Sequence, residues 1–71
     1  MPKRHSSSEI IKVLEQYGFV FISQKGSHAK YRKKHEEYTV TVIVPTPRKE
    51  VPVGTFRSIV RQSKLDIKDF E

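Results

Sequence analysis

The stretch Tyr38-Thr39-Val40-Thr41-Val42-Ile43-Val44 alternates, so that an extended chain would carry Tyr38, Val40, Val42 and Val44 on one face. Pro45, Pro47 and Pro52 follow it. Proline has no amide hydrogen to give to a ladder, so the three prolines stop the pairing and force a loop. A strand of this kind must find neighbours for its backbone groups, and the sequence supplies them just upstream. Phe19-Val20-Phe21-Ile22-Ser23 is aromatic and β-branched, the turn Lys25-Gly26-Ser27 follows, and His28 to Lys33 alternates again. The two segments read as a hairpin. A polar turn, Lys34 to Glu37, then leads into the Tyr38–Val44 strand, which makes the sheet a three-stranded antiparallel meander.

The flanks are helical in pattern. Ser6 stands three residues before Glu9, the spacing of a capping box, and Ile10, Val13, Leu14 and Tyr17 recur at helical intervals until Gly18 offers a C-cap. This predicts a helix from Ser7 to Tyr17. From Pro52 onward Phe56, Ile59 and Val60 fall on one side of a second helix, with Arg57, Arg61 and Lys64 as a basic stripe on another. Leu65, Ile67 and Phe70 then return over the core as a short turn. The order α-β-β-β-α predicts one α+β domain over residues 1–71, a three-stranded antiparallel sheet with both helices packed on one face.

Size restricts what such a domain can spare. A chain of 71 residues buries only about 60% of its unfolded surface, so nearly every large apolar side chain is needed inside. Phe19, Phe21, Phe56, Tyr17 and Tyr38 are therefore expected in the core, with Tyr31 packed against the helices. There is no cysteine, which leaves packing alone to hold the fold. No apolar run approaches the roughly 20 residues that cross a bilayer. Met1 to His5 is followed by serines rather than an apolar signal region, so a cytoplasmic protein with no membrane role is expected. Fourteen Lys and Arg against eight Asp and Glu give a net charge of +6, which favours a polyanionic partner.

The charge gathers around one histidine. Lys25, Gly26 and Ser27 precede His28, and Lys30 and Arg32 follow at period two, on its own face of the strand, while Ala29, Tyr31 and Lys33 face the other way. Read from the residues alone, a histidine after a Gly-Ser turn is more often a solvated or capping residue than a catalytic one. His5, in the polar N-terminal segment, and His35, in a charged turn, are expected at the surface. No histidine stands at ligand spacing from carboxylates, so neither a metal nor another cofactor is expected. Lys33 and Lys34 fit a solvated strand edge with at most a supporting phosphate role.

Gly18-Phe19, Lys25-Gly26-Ser27-His28 and Gly54-Thr55-Phe56-Arg57-Ser58-Ile59 lie in an order and at a spacing that resemble the HicA family of mRNA-interferase toxins, over Ser8 to Phe70. The resemblance implies a double-stranded-RNA-binding-domain-like fold, a ribonuclease whose catalytic histidine corresponds to His28, and a HicB-type antitoxin as partner. The chain departs from the family at one point. Where many members have Pro-x-His, this chain has Pro45-Thr46-Pro47.

The chemistry is consistent with that implication. RNA carries its own nucleophile, so cleavage needs a base at the 2′-OH, an acid at the leaving oxygen and cations around the phosphorane. A histidine, with a reference pKa of about 6.5, holds either protonation state near neutrality, and Lys25, Lys30 and Arg32 would favour the neutral form. The expected RNA-binding set is Lys25, Gly26, Ser27, Lys30, Arg32 and Arg57, with helix N–H groups at Gly54-Thr55 free for a phosphate. Two other classes stay open: a non-catalytic RNA-binding module, and a protein-interaction or DNA-binding domain.

Overall fold

The computed structural model describes residues 4–71. Helix α1 spans Ser7–Gln16, strands β1, β2 and β3 span Val20–Lys25, His28–Lys34 and Thr39–Pro45, helix α2 spans Val53–Ser63, and a 3-10 turn covers Ile67–Phe70. The order is the expected α-β-β-β-α. The strands form one antiparallel sheet in the order β1-β2-β3.

Each end of α1 is fixed by its own residues. The Ser6 side chain accepts from the Glu9 N–H at 3.1 Å while the Glu9 carboxylate accepts from the Ser6 N–H at 3.1 Å, closing the capping box. At the other end Gly18 takes φ +93°. Its N–H reaches the Glu15 carbonyl at 3.1 Å and the Phe19 N–H reaches that of Leu14 at 3.0 Å, a Schellman arrangement. The helix itself stops at Gln16, one residue short of the predicted end, with Tyr17 as cap. In the hairpin Gly26 holds φ +60° at the first of two turn positions, where glycine meets no Cβ penalty.

The sheet alternates as the sequence pattern requires. Ala29 and Tyr31 from β2 and Val40, Val42 and Val44 from β3 are buried, and the register pairs Ala29 with Val44 and Tyr31 with Val42. Against this face α1 sets Ile10 and Leu14, and α2 sets Phe56 and Ile59. Phe19, Val51 and Phe70 complete the core, with Ile11, Val13, Val60 and Leu65 packed around it. Each fully buried aliphatic side chain contributes about 1.5–3 kcal/mol.

Three aromatic expectations are overturned. Phe21 is 53% exposed, Tyr38 53% and Tyr17 39%. β1 is an edge strand, and every one of its residues stays exposed because the two helices cover β2 and β3 instead. Phe21 rests edge-on against Tyr31, with ring centroids 5.7 Å apart, and Ile22 forms a bulge between Phe21 and Ser23. Tyr38 precedes β3 and stacks on the exposed His35 at 4.4 Å. Tyr17 turns outward to donate its hydroxyl to the Asp69 carboxylate at 2.8 Å.

His5 is the largest departure from expectation. It is 5% exposed, its ring stacks on Phe56 with centroids 4.3 Å apart and planes 6° from parallel, and its Nε2 bonds the Phe70 carbonyl at 2.7 Å. Its own carbonyl accepts from the Val51 N–H at 2.8 Å. The polar segment is a strap over the core, not a frayed end. Pro45 also differs: it ends β3 opposite His28 rather than opening the loop, which an edge strand tolerates because the missing N–H faces away from the ladder.

Candidate active site

His28 opens β2, is exposed, and lies opposite Lys25 on β1 and Pro45 on β3. Lys30 and Arg32, both half-buried, follow on the uncovered face, paired with Ile43 and Thr41. The Arg32 Nε donates to the Thr41 hydroxyl at 3.4 Å, which steadies the guanidinium across the sheet. Lys33 points the other way, level with buried Val40, and its stem passes over Gly18. The exposed Gly26 and Ser27 form the turn. The Gln24 side chain donates to the Gly26 carbonyl at 3.1 Å, and the Ser27 carbonyl accepts from the Thr46 N–H at 2.8 Å. That second bond ties the residue before His28 to the segment leaving β3.

A cleft of about 310 Å³ runs along the outer edge of β3 where α2 lies beside it. His28 lines it together with Ile43, Pro45, Arg48, Thr55 and Gln62. Its wall is held by Gln62, whose side-chain oxygen accepts from the Ile43 N–H at 3.1 Å and whose amide donates to Ser58 at 3.1 Å. The edge amide that β3 would otherwise leave bare is thereby bound to α2. Thr55 comes from the first turn of α2, which Pro52 caps without a side-chain bond to its N–H groups.

The predicted residues therefore divide. His28 enters the cleft, Lys25 stands across the rung from it, and Lys30 and Arg32 continue its face. Arg57 does not line the cleft; it is exposed on α2 with Arg61, and Lys64 leaves the helix in a left-handed cap at φ 62°. Arg48 is the cation that sequence reading missed. Its only local signal is a basic residue directly after the Pro-Thr-Pro segment. Gln62 and Thr55 had a clearer one, since Thr55, Ser58 and Gln62 recur at i, i+3 and i+7. None of Lys25, Lys30, Arg32 and Arg48 makes an ion pair among the described residues, so this side of the molecule presents uncompensated positive charge.

Two tyrosines carry perturbed hydroxyls. Tyr17 is held above the ordinary tyrosine range, chiefly by its hydrogen bond to Asp69, and Tyr31 is raised by burial, with the Glu15 carboxylate adding to it. Neither touches the cleft. Among the described residues no group of three or more His, Cys, Asp and Glu converges as a metal site would require, and no helix is long and apolar enough to cross a membrane.

Comparison with curated proteins finds no match. Comparison with family models does: the HicA toxin model of bacterial toxin–antitoxin systems matches residues 7–65. The matched span runs from the first residue of α1 to just past α2 and takes in every element that builds the cleft. A match over well over half of the chain implies an antitoxin as partner and identifies the chain as a member of the HicA family of toxins.

Proposed function

We propose that this protein is an endoribonuclease that cleaves mRNA, with His28 as the base that takes the 2′-OH proton, and that a HicB-type antitoxin silences it. The observation that carries the reading is the position of His28: the exposed first residue of β2, at a cleft that Arg48 also lines, with Lys25 across the rung, Lys30 and Arg32 farther along its face, and no carboxylate among the described residues paired to any of them. A phosphodiester laid on this face would meet a base on one side and cations on the other.

The reaction follows from the substrate. His28 removes the 2′-OH proton, the 2′-oxygen attacks the adjacent phosphorus, and the bond to the 5′-oxygen breaks. The products are a 2′,3′-cyclic phosphate and a new 5′-hydroxyl, which takes up a proton from water or a nearby lysine. Lys25, across the rung, and Lys30, next along the face, are the cations nearest the phosphorane's negative charge, while Arg32, held at Thr41, is placed for a flanking phosphate. No metal is needed for that sequence, because the nucleophile belongs to the RNA. With Pro47 where relatives often carry histidine, the leaving oxygen has no second imidazole to protonate it, and turnover is expected to be slow.

His28→Ala is the test. His28 is exposed and joins only the end of the ladder, so folding should change by no more than about 0.5 kcal/mol. Loss of the base should lower cleavage about 10²–10⁴-fold. Undiminished cleavage by a folded His28→Ala chain would reject the assignment. RNA binding without cleavage by the unsubstituted chain would favour the non-catalytic RNA-binding module.

A further inference from the structure

Arg48 belongs to two grooves at once. One is the 310 Å³ cleft that holds His28. The other, of about 760 Å³, lies between the start of α1 and the segment 46–49, and is lined by Lys12, Glu15, Arg48 and Lys49 among others. The larger groove does not contain His28, so it is not where the reaction occurs. It does open from the same ridge.

The ridge is rigidly placed. The Arg48 carbonyl accepts from the Ser7 N–H at 2.9 Å and from the Ser7 hydroxyl at 3.2 Å, and that hydroxyl also donates to the Pro45 carbonyl at 2.7 Å. Thr46 is bonded to Ser27, next to His28. Ser7 is buried, so one side chain locks the segment from Pro45 to Arg48 onto the first turn of α1. Arg48 thereby keeps a fixed relation to His28. Lys12, Arg48 and Lys49 are all exposed and make no ion pair among the described residues. Against them the groove sets one carboxylate, Glu15, for a local excess of two positive charges, three cations less one anion.

We propose that single-stranded RNA leaves the His28 cleft over Arg48 and continues along the α1 groove, where Lys12 and Lys49 hold the flanking phosphates. The proposal rests on the ribonuclease reading above and gives it a substrate class: a strand extending several nucleotides to one side of the cut, in place of a dinucleotide.

The experiment measures binding apart from cleavage. The full chain carrying His28→Ala, with and without Lys12→Ala and Lys49→Ala together, is titrated by fluorescence anisotropy with a dinucleotide and with a decanucleotide over a range of salt. Each phosphate contact contributes about 0.7 to the salt slope for single strands, so the double substitution should flatten the decanucleotide slope by about 1.4. Affinity for the decanucleotide should fall at every salt concentration, and the dinucleotide should show no comparable change. An unchanged decanucleotide slope overturns the proposal, as does an equal loss for both lengths or no binding of the decanucleotide at all. If His28→Ala does not fold, the unsubstituted chain with a 2′-deoxy decanucleotide, which lacks the attacking hydroxyl, gives the same readout. Failure of the ribonuclease reading is seen separately, as the unsubstituted chain leaving both RNAs intact.

Discussion

Replacing His5 with alanine should cost the fold about 3–4 kcal/mol, although the residue sits in a segment that looks dispensable. Three losses contribute. The Nε2 bond to the Phe70 carbonyl at 2.7 Å is worth about 1 kcal/mol net, and a carbonyl accepts only, so the hydrogen is on Nε2. The stacked pair with Phe56, centroids 4.3 Å apart, adds about 0.5–1.5 kcal/mol beyond its area. Removing a ring that is only 5% exposed leaves a cavity, for which large-to-small changes in cores cost about 2–5 kcal/mol at most sites. One term opposes these. The Nδ1 atom is buried with no hydrogen-bond partner, and its removal returns about 1–3 kcal/mol. The net loss corresponds to a fall in Tm of about 12–30 °C for a domain of this size. Urea unfolding followed by circular dichroism reads it directly. His5→Phe separates the terms: it keeps the stacked ring, loses the Phe70 bond and removes the unpaired nitrogen, so it should lie within about 1 kcal/mol of the parent. If His5→Ala unfolds within about 0.5 kcal/mol of the parent, the strap is not packed and the reasoning fails.

Mass spectrometry of cleaved RNA should show a 2′,3′-cyclic phosphate upstream and a 5′-hydroxyl downstream, undiminished by excess chelator; a 5′-phosphate would mean that water is the nucleophile and that His28 is not base to the 2′-OH. A complex with the antitoxin should bury Gly26 to Arg32 and bring carboxylates to Lys30 or Arg32, whose charge is otherwise uncompensated; a complex that leaves His28 open would contradict direct occlusion. Alkaline titration followed by tyrosinate absorbance should show Tyr17 and Tyr31 ionising above the ordinary value of 10.0. The folded chain holds those protons more tightly, so the unfolded chain ionises first, and the stabilisation present below about pH 10 is lost as the pH rises through the folded-state values. Tyr17→Phe together with Tyr31→Phe should flatten that loss, and an unchanged alkaline profile would refute the attribution.

Local pattern predicted the parts of this molecule whose causes are local. The Ser6/Glu9 box, the glycine exit from α1, a hairpin turning at Gly26-Ser27 (with Lys25, expected in the turn, closing β1 instead) and the burial of Val40, Val42 and Val44 all depend on residues a few positions apart. Coverage is different in kind. Whether Phe21 is buried depends on where two helices land on a three-stranded sheet, and they cover β2 and β3. The partner of His5 lies 65 residues away, beyond any periodicity. The same limit applies to the site: the alternation that places Lys30 and Arg32 with His28 is readable, whereas the approach of Arg48 depends on how the 45–48 segment is fastened to Ser7.

Phe70 gives the chain a timetable. It is 3% exposed, meets Phe56 edge-on at 5.6 Å, and offers its carbonyl to His5, yet it lies five residues beyond the stretch matched by the family model, which ends at 65. Synthesis runs from the amino terminus at about 5–20 residues per second, so α1 and the hairpin emerge while this piece of the core has not yet been made. The last core contact closes only after the ribosome has added residue 70. A chain ended at Leu65 would retain His28 and the whole cleft but leave Phe56 and His5 without their cover, and its unfolding midpoint should lie below that of the full chain. Completion of the core, and with it of a rigid cleft, thus waits for residue 70, and a chain cut before it carries the chemistry without the frame to hold it.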